Sequence, residues 1–159
     1  MKSTLKGDSK LEELIFYLND DHFIKEDYEK DFQKYQKKLE EFFHFFLEIL
    51  VEFKWQFTET HQDNESGIDV CNIKYFTFVG SKKIEFISVE EWKNDETMLL
   101  RLMICIKDCC NRTLFSIYHV YDYDNYTENV VPRKCGKEIY NFRYVLPTIM
   151  NKLEYNQGQ

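Results

Sequence analysis

Residues 27–53 constrain the fold more than any other stretch of this chain. Tyr28, Phe32, Tyr35, Leu39, Phe42, Phe46, Ile49 and Phe53 recur in a strict 4-3 alternation, which sets all of them on one stripe of an α-helix and which no strand can produce. Further along, Phe43, Phe45, Leu47, Leu50 and Val51 widen the stripe, so the segment is expected to pass from a half-exposed helix into a largely buried one. At about 1.5 Å per residue such a helix is roughly 40 Å long. That exceeds the thickness of a small domain, so the rest of the chain must be arranged along it.

Most of the chain beyond residue 53 has β composition. Residues 69–79, 83–89, 97–107 and 113–123 are rich in β-branched and aromatic side chains, and the connections between them contain Gly80-Ser81, Asn94-Asp95 and the segment 108–112. Connections this short leave no room for crossover helices, so the strands are expected to form an antiparallel meander. Trp55 and Phe57 alternate with Gln56 and Thr58, which predicts that the chain leaves the helix into a further strand by about Trp55. The polar run 61–67 reads as a loop. In 97–107, Met98, Leu100, Leu102, Ile104 and Ile106 form one unbroken apolar face, expected to pack on the long helix. The other face, Leu99, Arg101, Met103, Cys105 and Lys107, is expected to be open to solvent, a partner or a subunit. In 113–123 two alternating sets compete for the inner side and leave the register open.

The ends read as helices. Ser9 and Glu12 have capping-box spacing, and Leu11, Leu14, Ile15 and Leu18 recur at helical intervals, giving a short helix over 9–18 behind a loose tail of residues 1–8. Residues 19–21 form a turn that folds the two helices into a hairpin. Residues 124–137 read as a loop. Beyond that loop Ile139, Phe142, Arg143, Leu146, Ile149, Met150 and Leu153 predict a C-terminal helix broken or kinked at Pro147. The expected architecture is thus a single α+β domain over residues 1–159. An antiparallel meander sheet of four to five strands is packed on one face by a long N-terminal helix, a short N-terminal helix and a C-terminal helix.

Charge narrows the functional classes. A net charge of −7 and a pI near 5.2 argue against direct nucleic-acid binding and against an anionic membrane surface, because both normally need surplus Lys and Arg. No apolar run approaches the roughly 18 residues of a membrane span, and a cytoplasmic location is expected. Cys71, Cys105, Cys109, Cys110 and Cys135 are an odd set with no spaced CxxC pair, which fits reduced thiols better than a disulfide framework.

No catalytic constellation is complete. Glu41 and His44 have the Glu-x-x-His spacing of carboxylate-bridged metal bundles, but a second such pair is lacking and both fall on the polar stripe with Glu48. Cys105, Cys109, Cys110 and His119 suggest zinc or a Cys/His nucleophile pair. Cys109 and Cys110 are adjacent, however, with no knuckle spacing, and no nucleophile elbow or Gly-rich loop accompanies them. The expectation is no enzyme, no cofactor and no metal site.

The strongest candidate surface is the segment 121–128, where Tyr121, Asp122, Tyr123, Asp124, Tyr126 and Glu128 combine rigid aromatic area with negative charge. In an alternating meander the connection carrying Glu90, Glu91, Asp95 and Glu96 falls at the same end of the sheet. These features lead to the expectation of a non-enzymatic acidic protein-binding module. Its most concrete form is an inhibitor or immunity-type protein that blocks a basic site on a toxin or nuclease. A viral or phage antagonist of a host defence protein would share that chemistry. A homodimeric structural or adaptor protein pairing through the 27–53 helix, and a small Cys/His enzyme, are the remaining alternatives.

Overall fold

The computed structural model describes residues 3–19, 28–63, 67–132 and 142–157, with side chains described from Gly7 in the first helix and from Gln33 in the second. Its elements in chain order are α1 (Ser3–Leu18), α2 (Tyr28–Glu52), β1 (Gln56–Asp63), β2 (Ile68–Val79), β3 (Lys82–Lys93), β4 (Glu96–Lys107), β5 (Thr113–Asp122), β6 (Thr127–Pro132) and α3 (Val145–Gln157). The strands form one sheet in the order β1-β2-β3-β4-β5-β6, each neighbour antiparallel. The fold is therefore α+β with a meander sheet, and it has six strands where four to five were expected.

The strand expected to begin by about Trp55 is β1, which starts at Gln56, and the strand beyond the expected count is β6. In β1, Gln56–Asp63 is exposed along its whole length, because an edge strand pairs on one side only and needs no apolar alternation. It therefore runs through part of the segment read as the 61–67 loop. In β6, Thr127–Pro132 takes up part of the expected 124–137 loop, with Val130 and Val131 buried. Pro132 is the last residue of this edge strand, a position where proline is tolerated.

The heptad stripe of α2 behaves as its spacing dictates. Tyr35, Leu39, Phe42, Phe46 and Ile49 are buried, each large apolar side chain contributing about 1.5–3 kcal/mol. Phe43 and Leu50 extend the buried side, while Val51 lies on the exposed one. The side chains of Tyr28 and Phe32 lie outside the described residues.

The arrangement of helices differs from expectation. The long helix does not lie directly along β4: α1 contacts β2 and β5, α3 contacts β4, and α2 packs against both of these helices. It reaches the sheet through long phenyl groups, with Phe42 edge-on to Phe115 at 5.3 Å between ring centroids. At the end of α2, Phe46 meets Trp55 at 5.8 Å, and the Trp55 indole N–H donates to the Ile49 carbonyl. One continuous core joins all three helices to the inner face of the sheet. It includes Leu102, Ile104 and Ile106 from β4 with Phe115 and Ile117 from β5, which settles the β5 register with Phe115, Ile117, His119 and Tyr121 inward.

Two further expectations are corrected. The first helix starts at Ser3, so Ser9 lies inside it rather than capping it, and residues 3–8 are helical rather than a tail. What holds this turn is tertiary contact. Gly7 sits so close to the sheet that a Cβ there would meet Val79 at 2.9 Å. Asp8 accepts hydrogen bonds from the Ser81 N–H and hydroxyl at 3.0 Å each and pairs with Lys82, which also reaches Glu12 at 3.0 Å. Gly80 completes this clasp: it has φ +61°, and a Cβ would run into the Asp8 side chain. Pro147 neither breaks nor kinks α3, because it sits in the first turn, where its N–H has no intrahelical acceptor to lose. The expected connections at 20–21 and 133–137, Cys135, and the helical positions 137–141 lie outside the described residues.

Candidate functional site

Antiparallel register carries each strand's alternation across the whole sheet. One transverse row on the inner face runs His61, Cys71, Glu90, Leu100, Tyr121, Glu128. The next row toward the core is Glu59, Ile73, Ser88, Leu102, His119, Val130. Beyond the first row lie the β3–β4 and β5–β6 turns and the acidic pair Asp63 and Asp69. The two segments expected to form one negative end are therefore at the same end of the sheet: Glu91 is opposite Leu99, which is opposite Asp122.

Local conformation sets what each side chain there can do. Asn94 and Asp95 both have positive φ, 53° and 65°, the signature of a tight two-residue hairpin turn that Asn and Asp tolerate. The turn projects Asp95 and Glu96 into solvent. In the β5–β6 turn, Asp122 accepts from the backbone N–H groups of Asp124 and Asn125 at 3.1 and 3.3 Å and from the Asn125 amide at 2.8 Å. Its carboxylate is thus a turn brace. Glu128 is also engaged, lying 2.8 Å from His119 Nε2. Burial pushes the His119 imidazole below its usual range, and the opposing pull of Glu128 does not cancel that.

The residues left for contact are narrower than the sequence suggested. Tyr126 is 85% exposed and Tyr123 38%, Tyr123 packing edge-on to the Tyr121 ring at 4.2 Å between centroids. Asp95, Glu96 and Asp124 are exposed beside them. Glu90 and Glu91 are half-buried and point to opposite faces, Glu90 toward the helix side and Glu91 toward the outer face.

On the β1–β2 side of the same end, the structure assembles a group that the sequence did not reveal. His61 Nε2 lies 3.1 Å from Glu59 Oε1, while Cys71 Sγ is 3.7 Å from that oxygen and 4.0 Å from His61 Nε2. A hollow of about 270 Å³ beside them is lined by His61, Asp63, Asp69, Cys71, Glu90, Trp92 and Asp95. A hydrogen bond to Asp63 and the negative charge of Asp63 raise the Asp69 carboxyl. Burial, then the charge of Glu59, its hydrogen bond and the charge of Glu90, raise the Cys71 thiol. The only sequence trace of this group is an alternation of polar residues, Glu59-x-His61, with Cys71 across a loop.

On the outer face of the sheet Arg101 is exposed, Leu99, Met103 and Lys107 are half-buried and Cys105 is buried. Glu85 is fully buried there, with Lys107 at 2.8 Å, Lys74 at 3.0 Å and Lys83 at 3.6 Å from its oxygens. Burial pushes its carboxyl up, but hydrogen bonds and charge from Lys107 and Lys74 outweigh that and hold it below the usual range. Toward β6, Arg101, Met103, Tyr118, Val120, Asn129 and Val131 line a shallow hollow.

Other combinations raised by the sequence do not converge. Cys105 is buried on the outer face opposite Ser116, His119 is on the inner face, and Cys109 and Cys110 are exposed in the β4–β5 turn. Glu41, His44 and Glu48 lie on the solvated side of α2. The stripe that could have paired two copies of α2 is turned into the chain's own core from Tyr35 onward. A larger hollow between α1 and α2, lined by Phe45, Ile49 and Phe53 with Lys10, Glu13, Glu48 and Glu52, is remote from the acidic end. Among the described residues no helix is long and apolar enough to cross a membrane. No known protein family, curated protein or solved structure matches the chain.

Proposed function

We propose that the protein is a non-enzymatic binding module whose acidic end docks on a basic protein surface, most concretely as an inhibitor or immunity-type protein occluding the cationic site of a toxin or nuclease. The observation that carries this reading is the clustering of exposed Tyr123 and Tyr126 with Asp95, Glu96 and Asp124 on two adjacent hairpin turns. Tyrosine supplies rigid contact area at low entropic cost, and the carboxylates steer a cationic partner and stand in for phosphate. The net charge of −7 acts in the same direction at longer range.

The test is affinity capture at low salt from the cells that make the protein. It compares the native chain, an Asp95→Lys/Glu96→Lys/Asp124→Lys variant, and a Glu41→Lys/Glu48→Lys variant that changes charge on the solvated side of α2. The reading predicts a cationic protein retained by the native chain and the α2 variant and lost by the turn variant. Capture indifferent to the turn charges would overturn it.

A further inference from the structure

We propose that Glu59, His61 and Cys71 form a binding site for Zn²⁺ or a similar borderline divalent ion, with the fourth coordination position open toward Glu90. The register makes the site possible. His61 and Cys71 are directly opposed across the β1–β2 ladder, and Glu59 precedes His61 by one full strand repeat, so all three project from the same face. Glu90 is opposite Cys71 on the next strand.

Donor geometry decides between a chance cluster and a coordination site. Tetrahedral zinc, with Zn–S near 2.3 Å and Zn–N or Zn–O near 2.0–2.2 Å, requires donor–donor edges of roughly 3.3–3.6 Å. The observed edges are 3.1, 3.7 and 4.0 Å, so an ion could be seated by shifts of a few tenths of an ångström in side chains that face solvent. Donor chemistry selects the ion. One thiolate, one imidazole and one carboxylate suit zinc, whereas magnesium and calcium take oxygen ligands almost exclusively. On binding, Cys71 releases its proton to solvent and coordinates as thiolate. The surrounding charge favours any cation, since Asp63, Asp69 and Glu90 line the hollow into which the fourth position opens. Three protein ligands with one open position is the pattern of a site that admits water or an exogenous ligand.

The ion site is independent of partner docking, because it lies on the β1–β2 edge and can hold or fail with no partner present. Cobalt(II) serves as the zinc probe on the full chain. The expected result is a tetrahedral Co²⁺ spectrum with a thiolate charge-transfer band, saturating at about one ion per chain, displaced by Zn²⁺ and untouched by excess Mg²⁺. Cys71→Ser should abolish the charge-transfer band, and His61→Ala should weaken binding at least about tenfold. A Cys109→Ser/Cys110→Ser variant should bind as the native chain does. Circular dichroism should be the same for all, since the ligands are on a solvent-facing edge. Absence of the band, or its persistence in Cys71→Ser, would overturn the assignment.

Discussion

Where β2 turns into β3, acids and bases meet in pairs: Asp8 and Glu12 hold Lys82, and Glu85 is enclosed by Lys74, Lys83 and Lys107. At the opposite end of the sheet, Asp95, Glu96 and Asp124 are exposed on neighbouring turns, and Asp63, by hydrogen bond and charge, raises the Asp69 carboxyl. At the first end, opposite charges meet in partly buried clusters, one of them joining α1 to the sheet, so they serve the fold. At the second, like charges accumulate on exposed turns and strand ends at some electrostatic expense, the charge distribution on which the proposed docking of a cationic partner rests.

The sharpest way to break this contrast is to remove Glu85. Glu85→Ala would leave three lysines facing one another on the outer face, and a loss of about 3 kcal/mol is expected in denaturant unfolding, moderated because the lysines are partly exposed. Next in size, Asp8→Ala removes the acceptor for the Ser81 N–H and hydroxyl together with the charge beside Lys82. About 2 kcal/mol should be lost, and Gly80→Ala should fall in the same range because both its φ and its space are forbidden. Both changes should spare binding.

A pH scan separates the buried groups. Because the His119 imidazole is held below its usual range in the folded chain, the unfolded chain takes up a proton first as pH falls below about 6.5. Stability should therefore decline from there until the folded His119 also titrates, and His119→Gln should flatten this part of the curve. Asp8 and Glu85 are held below the usual carboxylate range, so their contribution is complete above about 4.5 and is lost as pH falls through their folded values. Smallest of all is the expected effect of Asp95→Lys/Glu96→Lys/Asp124→Lys on folding. The melting temperature should stay level or rise slightly as repulsion is relieved. A marked fall would show that the acidic end serves the fold after all.

How far the sequence could be read depended on whether burial left a periodic trace. The stripe from Tyr35 to Ile49 and the alternation from Leu100 to Ile106 are legible because each has one dry face, and Asn94-Asp95 is legible because few residues accept positive φ. The start of β1 is legible in the alternation of Trp55 and Phe57, whereas its run to Asp63 and the strand Thr127–Pro132 are not, because an edge strand pairs through backbone groups that any side chain supplies. Residues 3–8 become helical through Gly7 against Val79 and Asp8 against Ser81, contacts between positions some seventy residues apart. The Glu59, His61 and Cys71 group escaped for the same reason, since it exists only once the β1–β2 register is known. Conversely, Asp122 and Glu128 had the composition of a binding surface, yet their carboxylates are occupied by the β5–β6 turn and by His119.

The most direct test of the docking account is the dissociation constant of the captured cationic partner as a function of ionic strength, for the native chain and for Asp95→Lys/Glu96→Lys/Asp124→Lys. The account predicts steep weakening with salt for the native chain, and for the variant a weaker affinity with a much flatter salt dependence. Superimposable salt curves for the two proteins would contradict it.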